Sequence, residues 1–174
     1  TRLTGDIQVL DYWKGAFGRS GIPAMLLAAT APTLNRLVKP IADYLTSGAY
    51  TFTFGLDEKE GSSVFKVGVQ NIDGGDSYED LSTGERTRAD LCILLAIRAL
   101  MQERTSTRFE QLFLDETADG LNRAGSEAFV RLLRTKKLAD QVFFIAHDET
   151  LQEAADATIL LAKRGGVAKL VKEN

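Results

Sequence analysis

Residues 112–116 read Leu-Phe-Leu-Asp-Glu, an apolar run that stops on two carboxylates. Residues 143–148 read Phe-Phe-Ile-Ala-His-Asp, a second apolar run that stops at the only histidine of the chain. Between them, 122–136 has helical periodicity. Strand, helix and strand in that order predict a parallel pair, because the crossover is right-handed, and the two carboxyl ends then share one edge. Ligands bind at that edge in α/β sheets. Asp115, Glu116 and His147 are therefore expected to converge. A carboxylate there can hold Mg²⁺, directly or through its waters, and its neighbour can orient or deprotonate a water. The plainer alternative is that Asp115-Glu116 caps the next turn and that the histidine is incidental.

Upstream, Leu81-Ser82-Thr83-Gly84-Glu85 opens a long helix expected over 84–104. Ser82 and Glu85 satisfy a capping box. The same geometry presents free N–H groups and the positive end of the helix dipole, so the turn can also receive a phosphate. Gly84 would let the backbone come close to it. The helix carries Leu91, Ile93, Leu94, Leu95, Ile97 and Leu100, apolar almost all round, and is expected to be buried. Arg86 and Arg88 lie in the first turns, where the dipole disfavours cations. They are expected either to be solvated or to face an anion.

The first half of the chain is predicted to be helical and then hairpin-like. Leu3, Ile7, Leu10, Trp13 and Phe17 form one helical stripe, ended by Gly18-Arg19-Ser20-Gly21. Pro23 opens a short helix through 29, and Leu34 to Leu45 forms another stripe, with a kink or restart at Pro40. Residues 50–54 and 64–69 alternate with period two across a polar turn at 57–63, which predicts an antiparallel hairpin. A loop over 71–80 follows. At the far end, 149–155 is read as a short helix, and 157–163 with 167–171 as a closing hairpin around Arg164-Gly165-Gly166. Arg123, Arg131, Arg134, Lys136 and Lys137 are read as a solvated helix face.

At 174 residues, with 44% hydrophobic and 26% charged content, the chain has the composition of an ordinary folded domain. No apolar run approaches the roughly 18 residues of a membrane span, and no signal peptide is visible. One cysteine, Cys92, rules out an intrachain disulfide and reads as a core thiol, which suits a reducing compartment. A net charge of −3 does not advertise nucleic-acid binding, so any DNA contact must use a local patch. No G-x-x-x-x-G-K-[ST] phosphate loop occurs.

The order Leu81–Glu85, Leu112–Glu116, Ala118-Asp119-Gly120-Leu121-Asn122 and His147 resembles the signature motif, Walker B strand, D-loop and His switch of an ABC-type ATPase head. The tight Leu-Ser-x-Gly-Glu, the apolar helix behind it and the His-Asp-Glu ending resemble the SMC-like ATPases of DNA double-strand-break repair, the SbcC-type partners of a metal-dependent nuclease. The resemblance spans essentially the whole chain and is strongest from residue 81 onward. It implies an α/β fold, the C-terminal half of a P-loop ABC-type head, with a helical lead-in from a coiled coil (1–48), an antiparallel hairpin and loop (49–80), and a parallel-sheet ATPase lobe (81–174).

The same resemblance implies roles. Glu116 would be the catalytic base or water-orienting group, and His147 would touch the γ-phosphate within its own head. Asp115 would serve the metal. Ser82, Thr83, Gly84 and Asn122 would meet nucleotide held by the opposite head. ATP and Mg²⁺ are the implied cofactors and require an N-terminal lobe that carries the phosphate loop, so this portion alone would be inactive. Implied partners are that N-terminal lobe, a second head in a homodimer, a metal-dependent nuclease subunit and double-stranded DNA, with no membrane. The implied setting is cytoplasmic or nucleoid-associated. Two departures stand out: Asn122 where the family usually has Asp, and Thr83 where many members have a second Gly. The alternatives are a structural SMC head acting as an ATP-gated DNA clamp, and a transporter ATPase subunit.

Overall fold

The computed structural model describes all residues except 1, 60–61, 73, 76, 106, 137 and 172–174. Helix α1 (Arg2–Phe17) leads into α2 (Ile22–Thr46), which is followed by the hairpin β1 (Tyr50–Lys59) and β2 (Ser62–Asn71). A 3₁₀ turn (Tyr78–Asp80) precedes the long helix α3 (Thr83–Thr105). Then come β3 (Gln111–Asp115), α4 (Arg123–Lys136), β4 (Gln141–Ile145), α5 (Glu149–Glu153) and the hairpin β5 (Leu160–Arg164) and β6 (Val167–Val171).

Strands β3 and β4 are parallel, with Leu112 opposite Val142 and Asp115 opposite Ile145. Both hairpins are antiparallel. Among the described residues the strands form three separate two-stranded sheets. One core joins α2, β1, β2, α3, β3, α4 and α5 through Leu34, Val38, Phe54, Val69, Leu91, Leu95, Leu114, Phe129 and Leu151. Arg98 ties the middle of α3 to the lead-ins of β3 and β4. Its guanidinium donates to the carbonyls of Phe109 (2.6 Å) and Leu138 (2.5 Å).

Three local expectations are corrected. The helices expected at 23–29 and 34–45 are one helix that passes Pro32 and Pro40 without a break. Both prolines are exposed, so water can serve the carbonyls that lose an N–H partner, while Leu34, Val38, Ile41 and Leu45 hold the core face. The turn expected at 57–63 is mostly strand, since pairing runs out to Lys59 and Ser62. Helix α3 is not buried all round: Leu94, Ile97 and Met101 are 39–49% exposed, whereas Leu91, Cys92 and Leu95 are fully buried. Lys137, assigned to the solvated face of α4, lies outside the described residues. The other described cations of that face, Arg123, Arg131, Arg134 and Lys136, are exposed.

Candidate functional site

The carboxyl edge of β3 and β4 gathers the acidic and imidazole groups. The backbone turns sharply after Asp115. Glu116 takes the left-handed conformation (φ 50°), uncommon for a residue with a side chain. Its N–H bonds back across the sheet to the Ile145 carbonyl at 2.9 Å. That bend carries the Glu116 carboxylate over the end of β4, where Oε1 stands 3.5 Å from His147 Nε2. The two side chains are 62% and 82% exposed. A pair so open to water contributes little to stability, so the arrangement calls for another explanation.

Asp119 completes the cluster. Its N–H closes the turn onto the Glu116 carbonyl (3.2 Å), and its Oδ1 accepts the His147 backbone N–H (3.2 Å). One ligand atom from each of Glu116, Asp119 and His147 lies within 4.8 Å of the others. Asp115 stands at the same edge, with its carbonyl accepting the Thr117 hydroxyl, and is not a member of this trio. Asp119 lies in the stretch 118–122 that resembles a D-loop, where no site role is expected of it from sequence; its place three residues after Glu116 lets the turn fold it back onto the site.

Ser82, Thr83 and Gly84 sit at the start of α3 as expected. The Glu85 carboxylate accepts the Ser82 N–H at 2.8 Å, one half of the capping box, and the Asn71 amide at 2.8 Å. The Ser82 hydroxyl first, then its N–H, hold the Glu85 carboxyl below the usual glutamate range. Arg86 N–H is the first to return to a carbonyl of this turn, that of Ser82 (2.9 Å). The amides of Thr83 to Glu85 lie upstream of it, in the position that suits an anion.

Gly84 has a packing reason of its own. A Cβ there would lie 2.9 Å from the Gly120 carbonyl oxygen. The start of α3 is thus pressed against the segment 118–122 that follows Glu116.

Arg86 is exposed, as one expectation had it, and Arg88 is half-buried and lies near enough to the Glu85 carboxylate to favour its charged form, but both also hold partners within the chain. Arg86 donates to the Glu79 carbonyl (2.6 Å) and lies over the Tyr78 ring. Arg88 donates to Asn122 Oδ1 at 2.6 Å. Asn122 itself caps α4, its Oδ1 accepting the Gly125 N–H at 2.9 Å.

This fold is that of the C-terminal lobe of an SMC/Rad50-like ATPase head. No family model matches the chain. It is 27% identical to the probable exonuclease subunit 2 of Escherichia phage T5 over 133 residues, 76% of this chain and 21% of that protein. It is 35% identical to the DNA double-strand break repair Rad50 ATPase of Sulfurisphaera tokodaii over 92 residues, 52% of this chain and 10% of that protein. A solved chain described under ATP-driven dimerization and DNA-stimulated activation of SMC ATPases superposes with a TM-score of 0.66 at 19% identity, covering 87% of this chain and 89% of that one. The chain therefore spans about a fifth or less of the length of these two sequence relatives.

Proposed function

We propose that the chain serves as the C-terminal lobe of an SMC-like ATPase that works in DNA repair or recombination. There, ATP binding and hydrolysis drive two heads together, and a metal-dependent nuclease subunit acts on double-stranded DNA beside them. The observation that carries this reading is the meeting of Glu116 and His147 at 3.5 Å on the carboxyl edge of a parallel pair. The start of α3 is packed against the loop that leads away from Glu116. Glu116 would orient or deprotonate the attacking water, and His147 would donate toward the γ-phosphate. Ser82, Thr83, Gly84 and Asn122 belong to the face that meets nucleotide on a second head.

The donor chemistry suits both implied groups. Asp115 is an exposed hard oxygen ligand at a strand end, the kind that holds Mg²⁺ with several waters. The first amides of α3 suit a phosphate. When bound, Mg²⁺–ATP would supply the phosphoryl group and neutralise part of its charge.

The bare sheet supports a missing lobe. Parallel sheets are normally covered on both faces, and two strands alone are marginal. Here Phe113, Phe143 and Ile145 are 41–68% exposed, with the two rings stacked at 4.9 Å. An N-terminal lobe would cover them and bring the phosphate loop. The exposed stripe Leu3, Ile7, Leu10 and Phe17 on α1 suits a coiled-coil partner, in keeping with 1–48 as lead-in, 49–80 as hairpin and loop, and 81–174 as the ATPase lobe. No described helix is long and apolar enough to cross a membrane, and a cytoplasmic or nucleoid setting is the one we assign.

The test is Glu116→Gln in a protein that holds both lobes. ATP binding should persist, while turnover falls about 10²–10⁴-fold, the usual cost of losing a general base. Turnover at the wild-type rate would place the base elsewhere.

A further inference from the structure

The first two turns of α3 and the loop after β3 are joined on one face. Gly84, Thr87 and Arg88 lie at i, i+3 and i+4, so they share that face. Opposite Gly84 is the Gly120 carbonyl, so close that a Cβ would meet it at 2.9 Å. Gly120 is itself left-handed (φ 100°), and a Cβ on it would lie 3.2 Å from the Thr87 hydroxyl. Arg88 then reaches Asn122 Oδ1 at 2.6 Å. Gly125 leaves room for the guanidinium, since a Cβ there would meet Arg88 Nε at 3.2 Å and Nη2 at 3.4 Å. Arg88 Nε is buried with no acceptor among the described residues; the guanidinium makes its short hydrogen bond to Asn122 and is also drawn to the Glu85 carboxylate on its own helix.

One side-chain oxygen thus receives two donors, Arg88 and the Gly125 N–H that starts α4. We propose that Arg88 is a positioning residue that locks the loop 119–122 to the start of α3. The turn Ser82–Gly84 and the turn bearing Glu116 and Asp119 then move as one body. Asn122, the departure from the usual D-loop acid, spends its oxygen within its own chain. Communication from the start of α3 to Glu116 and His147 therefore runs through Arg88 and does not need a charge at position 122. This rests on the reading of Ser82–Gly84 as the turn that meets nucleotide on a second head.

The test uses the ATPase with both lobes and reads three quantities: ATP affinity, ATP-driven head association and turnover. Arg88→Met keeps the aliphatic stem and removes the donor. Asn122→Ser keeps a short helix cap but cannot reach Arg88. Each should weaken association and slow turnover by about tenfold, the scale of one charge-assisted hydrogen bond, with ATP affinity unchanged. The double variant should be no worse than either single one, because both remove the same link. Unchanged association and turnover in Arg88→Met, or additive effects in the double variant, would overturn the proposal. Thermal unfolding of each variant identifies a loss that is merely structural, since that would lower ATP affinity and melting temperature together. Ser82→Arg separates the two ideas. If it leaves association intact, the turn does not meet nucleotide and the underlying reading fails. If it abolishes association while Arg88→Met does not, only the lock fails.

Discussion

Glu116 occupies a left-handed backbone conformation at φ 50°, held there by its N–H bond to Ile145 and by the Asp119 N–H on its carbonyl. Such a conformation costs of order 1–3 kcal/mol and persists only where its surroundings over-determine it. Asp119 is part of that determination because it also grips the His147 backbone. Asp119→Ala in the two-lobed ATPase should therefore slow turnover with ATP affinity unchanged, and Asp119→Asn, which keeps an acceptor oxygen, should retain more of the rate. Steady-state kinetics of the pair decide it; equal rates for Ala and Asn would mean that the grip on His147 is irrelevant. Glu85 offers a test by pH. Its carboxyl is held down in the folded chain, so the unfolded chain binds the extra proton first as pH falls. Its contribution to stability is complete above the usual glutamate range and is lost as pH drops through the lowered folded value. Urea unfolding across that window should show a slope that Glu85→Gln removes. Residue roles were legible where the backbone alone sets them, as at the Ser82–Glu85 box. Those of Arg86, Arg88 and Asp119 depend on partners 3 to 34 positions away, which periodicity does not reveal.

At the scale of elements, α3 is the test piece. Alanine at position 84 would gain up to about 1 kcal/mol in helix propensity over glycine. Its Cβ would also press on a backbone carbonyl at 2.9 Å, and overpacking of that kind costs about 1–3 kcal/mol. The second effect should win, so Gly84→Ala should lower the melting temperature. A higher melting temperature would mean that the Gly120 loop yields freely. Cys92, on the buried face of the same helix, has its thiol pushed up to about 12 by burial. At pH 8 it should react with a thiol reagent only as fast as the fold opens; rapid modification of the native chain would contradict the packing of α3. The order and type of the later elements were readable because each strand and helix there keeps its own period. The continuity of α2 was not. Its prolines argue locally for a break, and only the contact of Leu34 to Leu45 with the core overrides them.

For the whole molecule, the parallel pair and its shared edge followed from strand, helix and strand in sequence. That the strands among the described residues would stand as three separate two-stranded sheets did not follow from any local pattern, because their pairing depends on surfaces far apart in the chain. The exposed Phe113–Phe143 face belongs to the same scale: on the proposed reading it is the surface that an N-terminal lobe would cover. On this account the chain by itself lacks the lysine and N–H cradle that hold the β- and γ-phosphates, and purified alone it should not hydrolyse ATP. Turnover that Glu116→Gln abolishes in this chain alone would show that the lobe is self-sufficient. The central claim is that the start of α3 meets nucleotide held by another head. The direct measurement is ATP-dependent association of two-lobed heads carrying Glu116→Gln, with and without Ser82→Arg. Glu116→Gln heads should accumulate as ATP-bound dimers, and adding Ser82→Arg should leave them monomeric while ATP binding persists. Dimers that form equally well in both would contradict the claim.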